Sequence, residues 1–123
     1  MGYLHDDVLD SGLSLITSDA THLYICSAQP TTYAEATSTY ALGNKATITV
    51  GSPADRAGGG RKVAISAITD GSVTGTGTAA YYAIVDSVNS KLLATQSMVA
   101  TQNVTSGNQF VTDAVDIGIP DAV

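Results

Sequence analysis

The segment from Thr78 to Pro120 constrains the fold most, because short apolar runs alternate in it with turn residues. Asn and Ser tolerate the backbone angles of tight turns, and Gly107 can adopt a positive φ. The pattern predicts strand, turn, strand, turn and strand over Ala79–Ser87, Val88–Ser90, Lys91–Met98, Thr105–Asn108 and Gln109–Ile119. We therefore expect a β-meander on which the rest of the chain packs.

Side-chain alternation in this segment predicts the core. Tyr82 and Ile84 share one face of the first strand, and the opposite face is apolar as well. Such a strand is expected to be covered by the core on one side and by a loop or a neighbouring subunit on the other. In the last strand, Val111, Val115, Ile117 and Ile119 are spaced at multiples of two residues, which places their side chains on one face. The predicted core of the meander is Tyr82, Ile84, Val115 and Ile117.

The chain before the meander predicts one helix and several short strands. Apolar residues at a spacing of three to four, preceded by aspartates, predict a helix over Tyr3–Ile16, in which Val8, Leu9, Leu13 and Ile16 form the apolar face. Thr31–Thr37 predicts one or two helical turns, with Thr31 or Thr32 as the cap and Glu35 completing a capping box.

The other local signals predict strands, a loop and a turn. Asp70-Gly71 is a typical hairpin turn, and Gly51–Gly60 reads as a loop. Strands are predicted over His22–Ala28, Ala46–Val50, Lys62–Ile68 and Ser72–Thr78. The last of these is rich in Thr and Gly and is expected to be a solvent-facing or an edge strand.

These elements predict a mainly β fold. We expect an antiparallel β-sandwich or barrel-like domain of about seven or eight strands with a short N-terminal helix. The length of 123 residues suits a single domain, with a helical segment over 1–20 and a β-domain over 21–119.

Composition argues against several partners. The formal net charge of −6 argues against nucleic acid, because phosphate neutralisation needs clustered cations. No apolar run approaches the roughly 18 residues of a membrane span. A single cysteine, Cys26, excludes an intrachain disulfide.

No catalytic or metal constellation emerges. The two histidines, His5 and His22, have no third ligand at a suitable spacing. Gly58-Gly59-Gly60-Arg61-Lys62 lacks the spacing of a phosphate-binding loop. We predict a protein without enzymatic activity, cofactor or metal.

The candidate partner interface consists of tyrosines and cations. Tyrosine is enriched at interfaces, which favours Tyr33 and Tyr40 as contact residues, although the same rings could cap the sandwich. Arg56, Arg61 and Lys62 lie in or beside the glycine-rich loop, whereas Met1–Ala20 holds only acidic charges. We hypothesise that the loop docks on an acidic patch of a partner. The alternative is a solvated hairpin loop.

Four runs of the chain form a recognisable series. They are an aromatic strand ending in Asp86, a Lys91-Leu-Leu-Ala94 strand, the Gln102–Asn108 turn before Phe110, and the Thr21–Pro30 strand with its Gln-Pro end. Together these runs resemble small structural proteins of tailed bacteriophages. The resemblance covers about residues 21–119 and rests on structural, not catalytic, motifs. The acidic N-terminal segment and the Tyr33–Tyr40 segment depart from the family pattern.

The resemblance implies a virion component that acts by packing. We expect a capsid decoration (cement) protein made in the host bacterial cytoplasm. It is expected to form homo-oligomers, in the form of trimers, and to bind the major capsid protein on the shell exterior. The alternatives are a tail or fibre component, a non-viral carbohydrate-binding β-module, which the lack of Trp disfavours, and a small hydrolase, which the lack of a catalytic constellation disfavours.

Overall fold

The computed structural model describes residues 6–119, apart from the side chains of Asp6 and Val99. It contains one α-helix, α1 (Asp6–Asp19), and a π-helical segment (Glu35–Thr39). The strands are β1 (His22–Cys26), β2 (Ala41–Ala46), β3 (Ala54–Asp55), β4 (Arg61–Ile65), β5 (Ile68–Val73), β6 (Gly77–Asp86), β7 (Lys91–Val104), β8 (Gln109–Thr112) and β9 (Val115–Ile119). The predicted mainly β fold with an N-terminal helix is confirmed, with nine strands among the described residues.

The strands form two antiparallel sheets in a sandwich-like arrangement. The larger sheet has six strands in the order β7-β6-β1-β2-β5-β8, and the smaller has three in the order β3-β4-β9. A single core unites residues from both sheets and from α1, including Leu13, Ile25, Val63 and Ile84. Tyr82, Val115 and Ile117 belong to or pack against the same core, so the predicted core set is confirmed.

Helix α1 packs against β4 and β9 through the spacing that the sequence predicted. Leu9, Leu13 and Ile16 are buried, as expected for one face of a 3.6-residue period. Val8 is 59% exposed, so its place on the predicted apolar face is wrong. The helix continues three residues beyond the predicted end, to Asp19, and the predicted start at Tyr3 lies outside the described residues.

The β6–β7 hairpin is confirmed, but the three-strand meander is wrong. β7 extends to Val104, and the predicted closing strand divides into β8, which pairs with β5, and β9, which pairs with β4. The chain leaves the larger sheet between Thr112 and Val115, and this break changes the alternation. Val111 is consequently 57% exposed instead of sharing the buried face with Val115.

The strand predicted over Ala46–Val50 is also displaced. β2 ends at Ala46 because Thr47 adopts a left-handed backbone with φ of 57°, which interrupts a strand. The Thr47 amide donates instead to the carbonyl of Thr21. Only an isolated bridge between Val50 and Ile65 remains from the predicted strand.

Asp70 and Gly71 do not form the predicted hairpin turn, because both lie inside β5. The reason for glycine at this position is packing: a Cβ on Gly71 would lie 2.3 Å from ring carbons of Phe110. The predicted strands over Lys62–Ile68 and Ser72–Thr78 shift accordingly to β4, β5 and the start of β6. β5 lies between β2 and β8, so the prediction of a sheet edge is wrong. The alternative prediction of a solvent-facing segment agrees with the exposure of Ser72, Thr74, Thr76 and Thr78.

The glycine-rich loop is more ordered than its composition predicts. Within Gly51–Gly60, β3 pairs with β4 through Ala54–Lys62 and Asp55–Arg61. Gly58, Gly59 and Gly60 all have a positive φ, between 88° and 103°, which glycine adopts without steric cost. The loop is thus a short hairpin that holds Arg61 and Lys62 on a strand.

Candidate docking surface

The outer face of β6 is covered by the segment between β1 and β2. A second cluster of buried residues consists of Cys26, Ala36, Ala83 and Val85, with Tyr24, Tyr33, Tyr40, Tyr81 and Leu92 packed around it. The prediction that β6 is covered on both sides is therefore confirmed, and a loop of the same chain provides the second cover. Tyr33 and Tyr40 both pack against this cluster, and each is partly buried, which leaves only part of each side chain for a partner.

Hydrogen bonds fix the covering segment. The amide of Glu35 donates to Thr32 Oγ1 (3.1 Å), and the Glu35 carboxylate accepts from the amide and the hydroxyl of Thr31 (2.8 Å each). The bond from the Glu35 amide to Thr32 is the first half of the predicted capping box. The second half differs, because the carboxylate accepts from Thr31 and not from the amide of Thr32. These bonds from Thr31 lower the pKa of Glu35.

Arg61 is a structural residue. Its Nε lies 2.8 Å from Asp10 Oδ1, its Nη1 lies 2.5 Å from Asp55 Oδ1, and its Nη2 donates to Asp10 Oδ2 at 3.2 Å. Only 17% of its side chain is exposed. A two-point pairing of a guanidinium with a carboxylate is strong and directional, so Arg61 ties β4 to α1.

The tertiary structure therefore removes part of the charge separation seen along the sequence. Asp10 of the acidic N-terminal segment meets Arg61, and Lys62 Nζ lies 3.0 Å from Asp116. Arg56 Nη1 donates to the carbonyl of Gly59 at 2.9 Å. Lys62 and Asp116 are 34% and 52% exposed, which makes this pair solvent-screened and exchangeable.

The open side of the sandwich carries two grooves. A groove of about 410 Å³ is lined by Arg56, Ala57, Lys62, Thr95, Gln96, Asp116, Ile117 and Gly118. A second groove, of about 940 Å³, runs from the β4–β5 connection to the β8–β9 connection. Both include Gln96 on β7 and Asp116 on β9. They form one seam where β7, an edge of the larger sheet, faces β9, an edge of the smaller sheet.

The larger groove has a mixed lining. Tyr82, Gln102, Asp113 and the exposed Val111 all contribute to it. Burial raises the pKa of Tyr82, and the nearby charge of Asp113 adds to the rise. Thr112 also lines the groove, and its buried hydroxyl has no hydrogen-bond partner among the described residues.

The edge of β7 is a feature that sequence reasoning missed. β7 pairs with β6 on one side, and none of the described strands pairs with its other side. From Leu92 to Val104 it contains no charged residue and no proline. The absence of charge in β7 is visible in the sequence, but the position of β7 at a sheet edge depends on the pairing of β8 with β5.

The reactive groups within the described residues are few. Burial raises the pKa of Cys26 to about 11, so its thiol stays protonated at neutral pH and is a poor nucleophile. His22 lies 6.0 Å from the ring of Tyr24 in a stacked arrangement, while His5 lies outside the described residues.

Across residues 6–119, no group of three potential metal ligands occurs. No helix in this range has the length and apolarity needed to cross a membrane.

The candidate docking surface is the seam with the unpaired β7 edge, and the partly covered Tyr33 and Tyr40 on the outer face of β6 are separate candidate contacts. Comparisons with protein-family models, with curated proteins and with solved structures found no match to the chain.

Proposed function

We propose that this chain is a structural protein of a tailed-bacteriophage virion, and specifically a capsid decoration protein. The observation that carries the proposal is the unpaired edge of β7, uncharged from Leu92 to Val104, beside an open seam. Such an edge is a template for pairing with another protein chain, which suits a molecule that works by assembly. The resemblance of residues 21–119 to phage structural proteins supplies the virion setting.

The proposed mechanism is burial of exposed surface against the shell. The chain forms homo-oligomers that bind the major capsid protein on the capsid exterior, and the trimer implied by the phage resemblance is one such assembly. Binding to the assembled lattice, and not to free subunits, stabilises the lattice by mass action. The groove that contains Arg56 and Lys62 is the candidate capsid contact, because its cations suit an acidic patch.

The number of copies per particle tests this proposal. Quantitative mass spectrometry of purified virions should find the chain in numbers comparable to those of the major capsid protein. A few copies per particle would indicate a tail or fibre component instead. Absence from purified virions would overturn the virion proposal altogether.

A second candidate function is glycan binding, and the larger groove favours it. Tyr82, Gln102 and Asp113 line that groove, and aromatic, amide and carboxylate groups are suited to sugar hydroxyls. A glycan array with the purified protein tests this candidate. Binding that is lost in Tyr82→Ala and Gln102→Ala variants would favour a carbohydrate-binding module over a capsid protein.

A further inference from the structure

The edge strands of this molecule differ in how well they are protected from other chains. β3 spans only Ala54–Asp55 and β8 only Gln109–Thr112. β9 carries Asp116 as its second residue, paired with Lys62. Short length and charged residues are the usual devices that keep an edge from pairing. β7 has neither of these two devices between Leu92 and Val104, and its only protection of this kind is its bulges.

A bulge divides β7 and defines the part that can accept a partner. Tyr81 pairs with Ser97 and Ala79 pairs with Gln102, so Met98–Thr101 protrudes from the regular ladder. Bulges interrupt pairing along an edge. The run from Lys91 to Ser97, about 20 Å long at ~3.3 Å per residue, precedes this bulge. Within it Leu93 is a one-residue bulge, because Val85 pairs with Leu92 and Ile84 with Ala94, so the longest regular stretch is Ala94–Ser97.

Two copies of this run can pair antiparallel without bringing their charges together. Its one charge, Lys91, lies at its beginning. A two-fold axis at the central residue, Ala94, places Lys91 of each chain opposite Ser97 of the other, so no like charges meet. In a parallel pair aligned in register, the two lysines would lie side by side.

Partly exposed apolar side chains lie on the same run. Leu92 packs at the border of the second buried cluster, and Leu93 is also only partly buried. A neighbouring strand would cover both leucines and would satisfy the outer backbone groups of β7. The gain combines apolar burial with backbone hydrogen bonds.

We propose that β7 pairs antiparallel with β7 of a second copy through Lys91–Ser97, which joins the two six-stranded sheets into one continuous sheet. The inference rests on the proposed function, because it names a second copy of the chain as the partner that pairs with the β7 edge. A two-fold contact of this kind is isologous, since each chain contributes the same surface. It therefore predicts a dimer and not the trimer that the phage resemblance implies.

The test is the mass of the purified chain at micromolar concentration, measured by light scattering after size exclusion. We expect twice the chain mass of 12.5 kDa. A variant with Gln96→Lys and Ser97→Lys, both at exposed positions, should have the single-chain mass, because edge lysines prevent strand pairing. The matched control, Ser14→Lys with Leu15→Lys on the exposed side of α1, should remain dimeric.

A second measurement distinguishes lost pairing from lost folding. Amide hydrogen exchange of Lys91–Ser97 in the unmodified protein should slow as concentration rises, while exchange in β1 stays unchanged. A wild-type monomer, a trimer, or exchange in β7 that is independent of concentration would overturn the proposal. The copy number in virions is measured separately, so a failed pairing does not decide whether the chain decorates capsids.

Discussion

At the scale of single residues, Asp86 shows how a strand end is stabilised by one buried carboxylate. It is 2% exposed, and its oxygens accept hydrogen bonds from Asn89 Nδ2 (2.8 Å) and the amides of Val88 (3.0 Å) and Asn89 (3.3 Å). The side-chain bond from Asn89 is the main reason that the pKa of Asp86 is lowered. The charged carboxylate thus fixes the turn between β6 and β7.

Asp86 should make stability depend on pH in the acid range. A carboxyl whose pKa is lower in the folded state stabilises that state above its unfolded pKa, about 3.9, and this contribution is lost as the pH falls through the folded pKa. Thermal melts from about pH 6 to pH 2 should therefore fall less steeply for Asp86→Asn than for wild type. Asn89→Ala, which removes the main donor, should also flatten the curve. Parallel curves for all three proteins would show that Asp86 is not responsible.

Ile84 and Thr74 provide a matched pair for testing the assignment of buried and exposed positions. Ile84 is fully buried in the core, so Ile84→Ala should lower the free energy of unfolding by about 2–5 kcal/mol. Thr74 is exposed, so Thr74→Ala should change it by no more than about 0.5 kcal/mol. Urea denaturation measures both, and equal losses would contradict the assignment.

At the scale of elements, two glycines have opposite roles. Gly12 is exposed in the middle of α1, and a Cβ there would meet Ile119 Cδ1 at an ordinary 3.5 Å. Gly71 lies under the Phe110 ring in β5, where a Cβ would overlap the ring. Gly12 therefore lowers the stability of the helix without being needed for packing. Gly71 is needed in the sheet, because a larger residue would overlap the Phe110 ring.

Gly12→Ala should raise the free energy of unfolding by roughly 0.5–1 kcal/mol, because alanine loses less backbone entropy in a helix. Gly71→Ala is the contrasting variant and should be destabilising by ~1–3 kcal/mol, since Phe110 must move. Urea denaturation distinguishes them. Destabilisation by Gly12→Ala would mean that α1 packs more tightly at this position than the structure indicates.

At the scale of the whole molecule, the three cations in and beside the glycine-rich loop divide into one structural residue and two candidates for docking. Arg61 joins α1, β3 and β4 through Asp10 and Asp55. Arg56 and Lys62 line the smaller groove at the seam. A capsid contact through these two would be steered by charge and weakened by salt.

The double variant Arg56→Ser with Lys62→Ser should bind undecorated capsid shells more weakly than wild type. The difference should be largest at low salt and should narrow above ~0.15 M, where screening acts within about 8 Å. Co-sedimentation with purified shells measures binding. Arg61→Ser is the contrasting variant: it should lower the free energy of unfolding by ~1–3 kcal/mol by breaking hydrogen bonds to charged groups. Equal binding of wild type and the double variant at every salt concentration would exclude the groove as the contact.

The sequence by itself determined the local features of the fold, which depend on residues close together along the chain. Alternation predicted the β6–β7 hairpin and the burial of Ile84 on one face of β6, and the Thr32–Glu35 spacing predicted the capped turn. These signals are local, because a strand alternates and a helix caps itself within a few residues.

Only the tertiary structure decided which strands are neighbours. The residues after Thr112 leave the larger sheet and pair with β4 as β9. Asp70-Gly71 became part of a strand because Phe110 packs over the glycine. The same long-range pairing left β7 at an edge and brought Asp10 to Arg61 across 51 residues. Such contacts depend on which distant segments bury each other's apolar faces, and short-range periodicity carries no information about that choice.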